Sequence, residues 1–232
     1  MGFKNLPKSV RIPPIKSLIK VKWQTITIGL FSLMLVVIVW QGLNHRQTKG
    51  IAEYTPLLVM KGGDPYIRAL MRTISASESQ DTNPYTQIYG GEHFSDFSRH
   101  PNKCVRIVSG LHQGECSTAA GRYQILTVTW QEKSEKYYSK LSRNLSINHD
   151  IFTPQAQDEV VYAWLNDRNA WKVDIALLLK QGKLNQVLQI LSGTWTSLGY
   201  GKENNSITPL LSQVYQKALA EELAQTNSSS SN

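Results

Sequence analysis

A chain of 232 residues has room for one globular domain plus appendages, or for two small domains. Its formal charge of +8 is unevenly placed, because Lys4, Lys8, Arg11, Lys16, Lys20 and Lys22 carry most of it. The remainder is close to neutral and shows no basic stripe with stacking aromatics, which argues against nucleic acid as a partner. Cys104 and Cys116 have no matching histidine cluster, so the sequence offers no metal site and asks for no cofactor.

Residues 1–22 form a basic N-terminal segment without acids. Trp23 to Asn44 follows as an uncharged run of 22 residues. As a helix it would reach roughly 33 Å, enough for a bilayer core of about 30 Å. Trp23 and Trp40 stand near its ends, where amphipathic rings favour the headgroup level. No small-x-small cleavage pattern follows, so the segment reads as a retained transmembrane anchor rather than a removed signal. Positive-inside bias places residues 1–22 in the cytoplasm and the rest on the extracytoplasmic side of the inner membrane. Residues 45–63 read as a linker ending in Gly62-Gly63, residues 64–224 as the folded domain, and residues 225–232 as a disordered serine-rich tail.

Within the domain, Asp64-Pro65, Thr153-Pro154 and Thr208-Pro209 each place a capping side chain before a proline that loses nothing at the first helical position. Apolar residues at helical spacing follow each one: Ile67, Leu70, Met71 and Ile74; Val160, Val161, Trp164 and Leu165; Leu211, Val214, Tyr215 and Ala218. Two further helices are expected at about 172–181 and 183–197, the second with Leu184, Val187, Leu188, Leu191 and Trp195 on one stripe. Trp130, Trp164, Trp171 and Trp195 read as core rather than sugar platforms. Between the first two capped helices, residues 83–116 mix glycine and proline with alternating Tyr85, Ile88, Phe94, Phe97, Val105 and Ile107, which suggests short strands and turns. Cys104 and Cys116 flank one expected hairpin and are candidates for a disulfide in an oxidising compartment. The fold class is α+β: mostly helices, with a small β-lobe inserted after the first and a cleft between lobes.

Glu78 is the informative position. It lies eleven residues beyond Ile67, and at about 100° per residue it returns to within roughly 20° of the same helix face. A carboxyl there, at the negative helix end and facing core or cleft, has its pKa raised by both desolvation and the dipole. That is the condition of a general acid for glycoside cleavage. The periodicity leaves open that the helix ends at Ser75 and that Glu78 is a solvated loop residue.

Four co-linear segments carry a resemblance. Gly90-Gly91-Glu92-His93-Phe94-Ser95-Asp96-Phe97-Ser98-Arg99-His100-Pro101 resembles the G-G-x-x-F-x-D-x-S-x-H-P stretch of lambda-type phage endolysins, and Ser117-Thr118-Ala119-Ala120-Gly121-Arg122-Tyr123-Gln124 their S-T-x-A-G-R-Y-Q segment. Phe152 to Asp158 is similar to F-S-P-x-x-Q-D, and Trp195-Thr196-Ser197-Leu198 to W-x-S-L. The resemblance implies a lysozyme-like fold, with Glu78 as catalytic acid and peptidoglycan glycan strands as substrate. It further implies a lytic transglycosylase that forms 1,6-anhydromuramoyl ends. The family pairs this glutamate with glycine, whereas Ser79 follows here, as in the broader soluble lytic transglycosylases. Ser79, Gly121, Tyr123 and Gln124 are the implied groove residues. The alternatives are a core position for Tyr123 and a helix N-terminal contact for Gln124. A hydrolytic muramidase would need a second carboxylate, for which Asp81, Glu92 and Asp96 are candidates, although Asp96 fits better as a turn brace. A non-catalytic peptidoglycan-binding module is the remaining alternative. His93 and His100 read as structural.

Overall fold

The computed structural model describes residues 55–108, 110, 112–138 and 151–229, with Met34 alone before them. The chain divides into the units Met1–Lys49 and Gly50–Asn232, and the architecture below is that of the second. The basic N-terminus, the expected span 23–44 apart from Met34, and residues 45–54 of the linker lie outside the described residues. Among the described residues, no helix is long and apolar enough to cross a membrane.

Helix α1 (Pro65–Glu78) starts where Asp64 accepts from the Tyr66 and Ile67 amides, with Pro65 at the first helical position. Ile67, Leu70, Met71 and Ile74 are fully buried, each worth roughly 1.5–3 kcal/mol of apolar transfer. An amphipathic stripe was the expectation, yet every residue from Ile67 to Ser77 is buried. The polar face is covered by α7 (Leu211–Ser229), which packs along α1 and meets its guanidiniums with carboxylates. Arg68 Nε donates to Glu222, while Arg72 pairs with both Glu222 and Glu221.

After α1 the chain makes a 3-10 turn at Pro84–Thr86 and a loop region whose regular sheet is small. Strand β1 (Val105–Arg106) pairs antiparallel with β2 (Cys116–Ser117), Val105 opposite Ser117 and Arg106 opposite Cys116. The expected disulfide joins Cys104 to Cys116 and closes this hairpin, with Cα atoms 5.4 Å apart. Single bridges join Gln87 to His93, Ile88 to Ala120 and Ala120 to Ile125, so the expected strands around Tyr85, Ile88, Phe94 and Phe97 are turns and bridges instead.

Helix α2 (Thr127–Lys133) runs into a π-turn, Ser134–Tyr138. Helix α3 (Pro154–Leu165) is capped by Thr153, whose side chain accepts from the Ala156 amide. Short helices α4 (Arg168–Trp171), α5 (Ile175–Lys180) and α6 (Leu184–Leu191) follow. The expected helix 183–197 stops at Leu191, and Trp195 reaches the core from the following turn, with Trp164 and Trp171 at 5.3 and 6.2 Å between ring centroids. A 3-10 turn at Thr196–Leu198 and another at Thr208–Leu210 lead into α7. Thr208 is not the capping acceptor expected there; Asn205 Oδ1 accepts from the Ile207 and Thr208 amides instead. Helix α7 continues through Ser229, so most of the expected disordered tail 225–232 is helical.

The domain also begins earlier than 64. Residues 55–60 form a strap against it, with Thr55, Leu58 and Met60 buried. Its backbone carbonyls serve buried arginines: Thr55 O accepts from Arg72, Pro56 O and Leu57 O from Arg122, and Met60 O from Arg68.

Candidate active site

Glu78 is the last residue of α1, because Ser79 turns to extended backbone (φ −136°) while its amide still bonds the Ser75 carbonyl at 2.7 Å. The helix therefore does not end at Ser75, and the carboxyl sits at the negative helix end as the periodicity anticipated. The residue is half-buried, and desolvation raises its pKa from the ordinary 4.5 to about 7. The Ser197 hydroxyl, donating to Oε1 at 2.5 Å, opposes that rise, and the like charge of Glu203 adds to it. Desolvation wins because a single donor replaces a full hydration shell.

The turn Thr196–Leu198 brings Ser197 to this point. Ser77 Oγ lies 2.8 Å from Ser197 Oγ and 2.9 Å from the Ser197 carbonyl. Thr208 Oγ1 donates to the same carbonyl at 3.0 Å, and Asn205 Nδ2 to Ser77 O at 2.7 Å. Glu203 is exposed but tied to the turn, accepting from Thr196 Oγ1 at 2.9 Å. Ser197, Glu203 and Gln87 were not anticipated as site residues. Only Ser197 had a signal, its place in the Trp195–Leu198 segment.

The expected groove residues divide. Ser79 is buried and donates to Gln87 Oε1. The Gln87 carbonyl accepts from the Gly121 amide at 2.8 Å and from Gln124 Nε2 at 3.3 Å, so hydrogen bonds run from the end of α1 to the turn 121–124. Gln124 is half-buried in left-handed backbone (φ 45°), and its amide also donates to Gly121 O at 3.0 Å. Gly121 has φ +73°, and a Cβ there would stand 2.7 Å from the Phe152 ring, so its role is to permit the turn. Tyr123 is a correction. It is 1% exposed, its hydroxyl donates to Asp158 Oδ1 at 2.6 Å, and it has no surface left for a sugar.

The candidate second carboxylates have other partners. Asp81 accepts from the Asn83 amide and lies 3.4 Å from His93 Nε2, and Glu92 pairs with Lys103. Asp96 braces its turn by accepting from the Ser98 amide at 2.8 Å, and the Ser98 hydroxyl, ahead of that amide, holds its pKa down. His100 is buried between Ile125 O (2.9 Å) and Thr127 Oγ1 (3.0 Å), and burial lowers its pKa. A cavity of about 390 Å³ lies beside it, lined by Arg99, Asn102, Thr127 and Gln131 among others, and does not reach Glu78. Among the described residues no cluster of His, Cys, Asp or Glu could hold a metal ion.

A helical domain with a small β-hairpin, carrying one proton-holding glutamic acid at the end of its central helix, is of the lysozyme-like class. The chain belongs to the endolysin family, whose model matches residues 68–221. It is 31% identical to the endolysin of Escherichia phage lambda over 132 residues, covering 56% of this chain and 72% of that one. It is 28% identical to the endolysin of Escherichia phage P2 over 160 residues, covering 62% and 88%. Among solved structures it is similar to bacteriophage lambda lysozyme complexed with a chitohexasaccharide, at 27% identity, 68% and 97% coverage and a TM-score of 0.48. A second structure of lysozyme from bacteriophage lambda matches at 25% identity, 71% and 96% coverage and a TM-score of 0.46.

Proposed function

We propose that this domain cleaves the glycan strands of peptidoglycan at the β-1,4 bond between N-acetylmuramic acid and N-acetylglucosamine, with Glu78 as the acid and then the base. The observation that carries this is a half-buried carboxyl with a pKa of about 7, in a chain of the endolysin family. Protonated Glu78 donates to the glycosidic oxygen as an oxocarbenium-like state develops. The carboxylate left behind takes the proton of the muramoyl C6 hydroxyl, which attacks C1 of its own sugar and closes a 1,6-anhydro ring. The nucleophile is tethered, so one carboxyl suffices. The engagement of Asp81, Glu92 and Asp96 in local contacts supports this transglycosylase reading over hydrolysis. The uncharged run 23–44 behind a basic N-terminus supports a single-pass anchor that holds the domain on the extracytoplasmic side of the inner membrane.

The test is digestion of purified sacculi by the portion from residue 50 onward, beside Glu78→Gln, with mass analysis of the released muropeptides. Anhydromuramoyl ends are expected. Free reducing muramoyl ends would replace the transglycosylase by a hydrolytic muramidase. Retention of sacculi without release would replace both by a binding module.

A further inference from the structure

The Glu78 carboxyl has two chemically distinct oxygens in this fold. Oε1 receives the Ser197 hydroxyl, and Ser197 Oγ in turn lies 2.8 Å from Ser77 Oγ. The single proton of Ser77 has two acceptors within reach, Ser197 Oγ at 2.8 Å and the Ser197 carbonyl at 2.9 Å, and when it goes to Oγ the Ser197 proton is left for Glu78. Ser77 is on the turn of α1 that ends with Glu78, and Ser197 is on the 3-10 turn across from it. Both are pinned by neighbours that do not touch Glu78, Asn205 on the Ser77 carbonyl and Thr208 on the Ser197 carbonyl. Two serine hydroxyls stacked behind one carboxyl, each with a fixed backbone, exceed what packing alone requires.

We propose that Ser197, aligned by Ser77, is a positioning residue for Glu78: it occupies Oε1 as a hydrogen-bond donor, so that Oε2 carries and recovers the transferable proton, and it steadies the carboxylate between the two proton transfers. This rests on the reading of Glu78 as acid and base. The donor favours the charged form, and it strengthens as charge develops on Oε1. The charged groups of the segments that pack along or follow α1 do not take its place. Glu203, from the loop after the turn, is a like charge facing Glu78. Asp81, beyond the helix end, is engaged with Asn83 and His93. Glu221 and Glu222 of α7 are bound by Arg68 and Arg72.

The experiment compares wild type, Ser197→Ala, Ser197→Thr and Ser77→Ala by two readouts. Carbon-13 NMR of the glutamate side-chain carboxyls, with Glu78 assigned against Glu78→Gln, gives its titration midpoint whether or not the protein is active. Turnover of sacculi against pH gives the alkaline limb of kcat. Losing a hydrogen bond to a charged group is expected to raise the midpoint by about one pH unit in Ser197→Ala. The alkaline limb should move up with it, and kcat should fall about tenfold at low pH with KM little changed. Ser77→Ala should move the midpoint in the same direction by less, and Ser197→Thr should restore it. An unmoved or lowered midpoint in Ser197→Ala overturns the proposal, as does a Ser197→Thr that behaves like Ser197→Ala. A wild-type midpoint that responds as expected in a protein that leaves sacculi intact would instead sink the proposed function and leave this hydrogen bond standing.

Discussion

Asp158 and Glu78 are withdrawn from solvent in opposite ways. Asp158 is completely buried, and its oxygens accept from the Val59 and Met60 amides and from the hydroxyls of Tyr85 and Tyr123. Glu78 is half-buried and accepts from Ser197. A carboxyl fed from every side is a fastening, and it joins the strap 55–60, the turn at 85 and the turn at 123 to α3. A carboxyl with one donor and a like charge nearby has a proton to exchange. Burial alone does not distinguish the two carboxyls; the number of donors does.

Exchanging the two residues in turn tests that distinction. Glu78→Gln should cost about three orders of magnitude in muropeptide release, with the thermal midpoint kept or raised. Asp158→Ala should do the reverse, losing about 3 to 5 kcal/mol in urea denaturation because several donors are stranded. Its activity per folded molecule should survive. Equal losses of activity in the two variants would erase the contrast.

Replacing Cys104 and Cys116 by serine should cost up to about 3 kcal/mol, read as a shift in the urea midpoint, since the bridge closes a loop of separation 12. An effect of about the same size concerns pH. The pKa of Glu78 is raised by folding, so its contribution to stability is whole below pH 4.5 and drains away as pH rises to about 7. The wild-type thermal midpoint should therefore fall relative to Glu78→Gln across that window and run parallel above it. Activity that needs the protonated acid should decline over the alkaline side of about pH 7.

What was legible from sequence was local. Asp64 and Thr153 cap their helices as their place before proline suggested. The repeat from Ile67 to Glu78 found the acid because α1 is one unbroken helix ending on it. What was not legible depends on segments far apart in the chain. Ser197 meets Glu78 across 119 positions, and no periodicity carries that information. The burial of Arg68 and Arg72 depends on Glu221 and Glu222, which neutralise them from the other end of the domain. Tyr123 looked available to a ligand because Asp158, which takes its hydroxyl, is 35 residues on. The strap fell within the expected linker 45–63, because its carbonyls have value only once the three arginines are in place.

That strap decides where a protease can cut without harm. A nick before Thr55 would free an intact body from whatever precedes it. Leu57 and Val59 are exposed on the strap itself, and cleavage after either would carry off the carbonyls that serve Arg72 and Arg122. Release and destruction are thus separated by a few residues of the same thread.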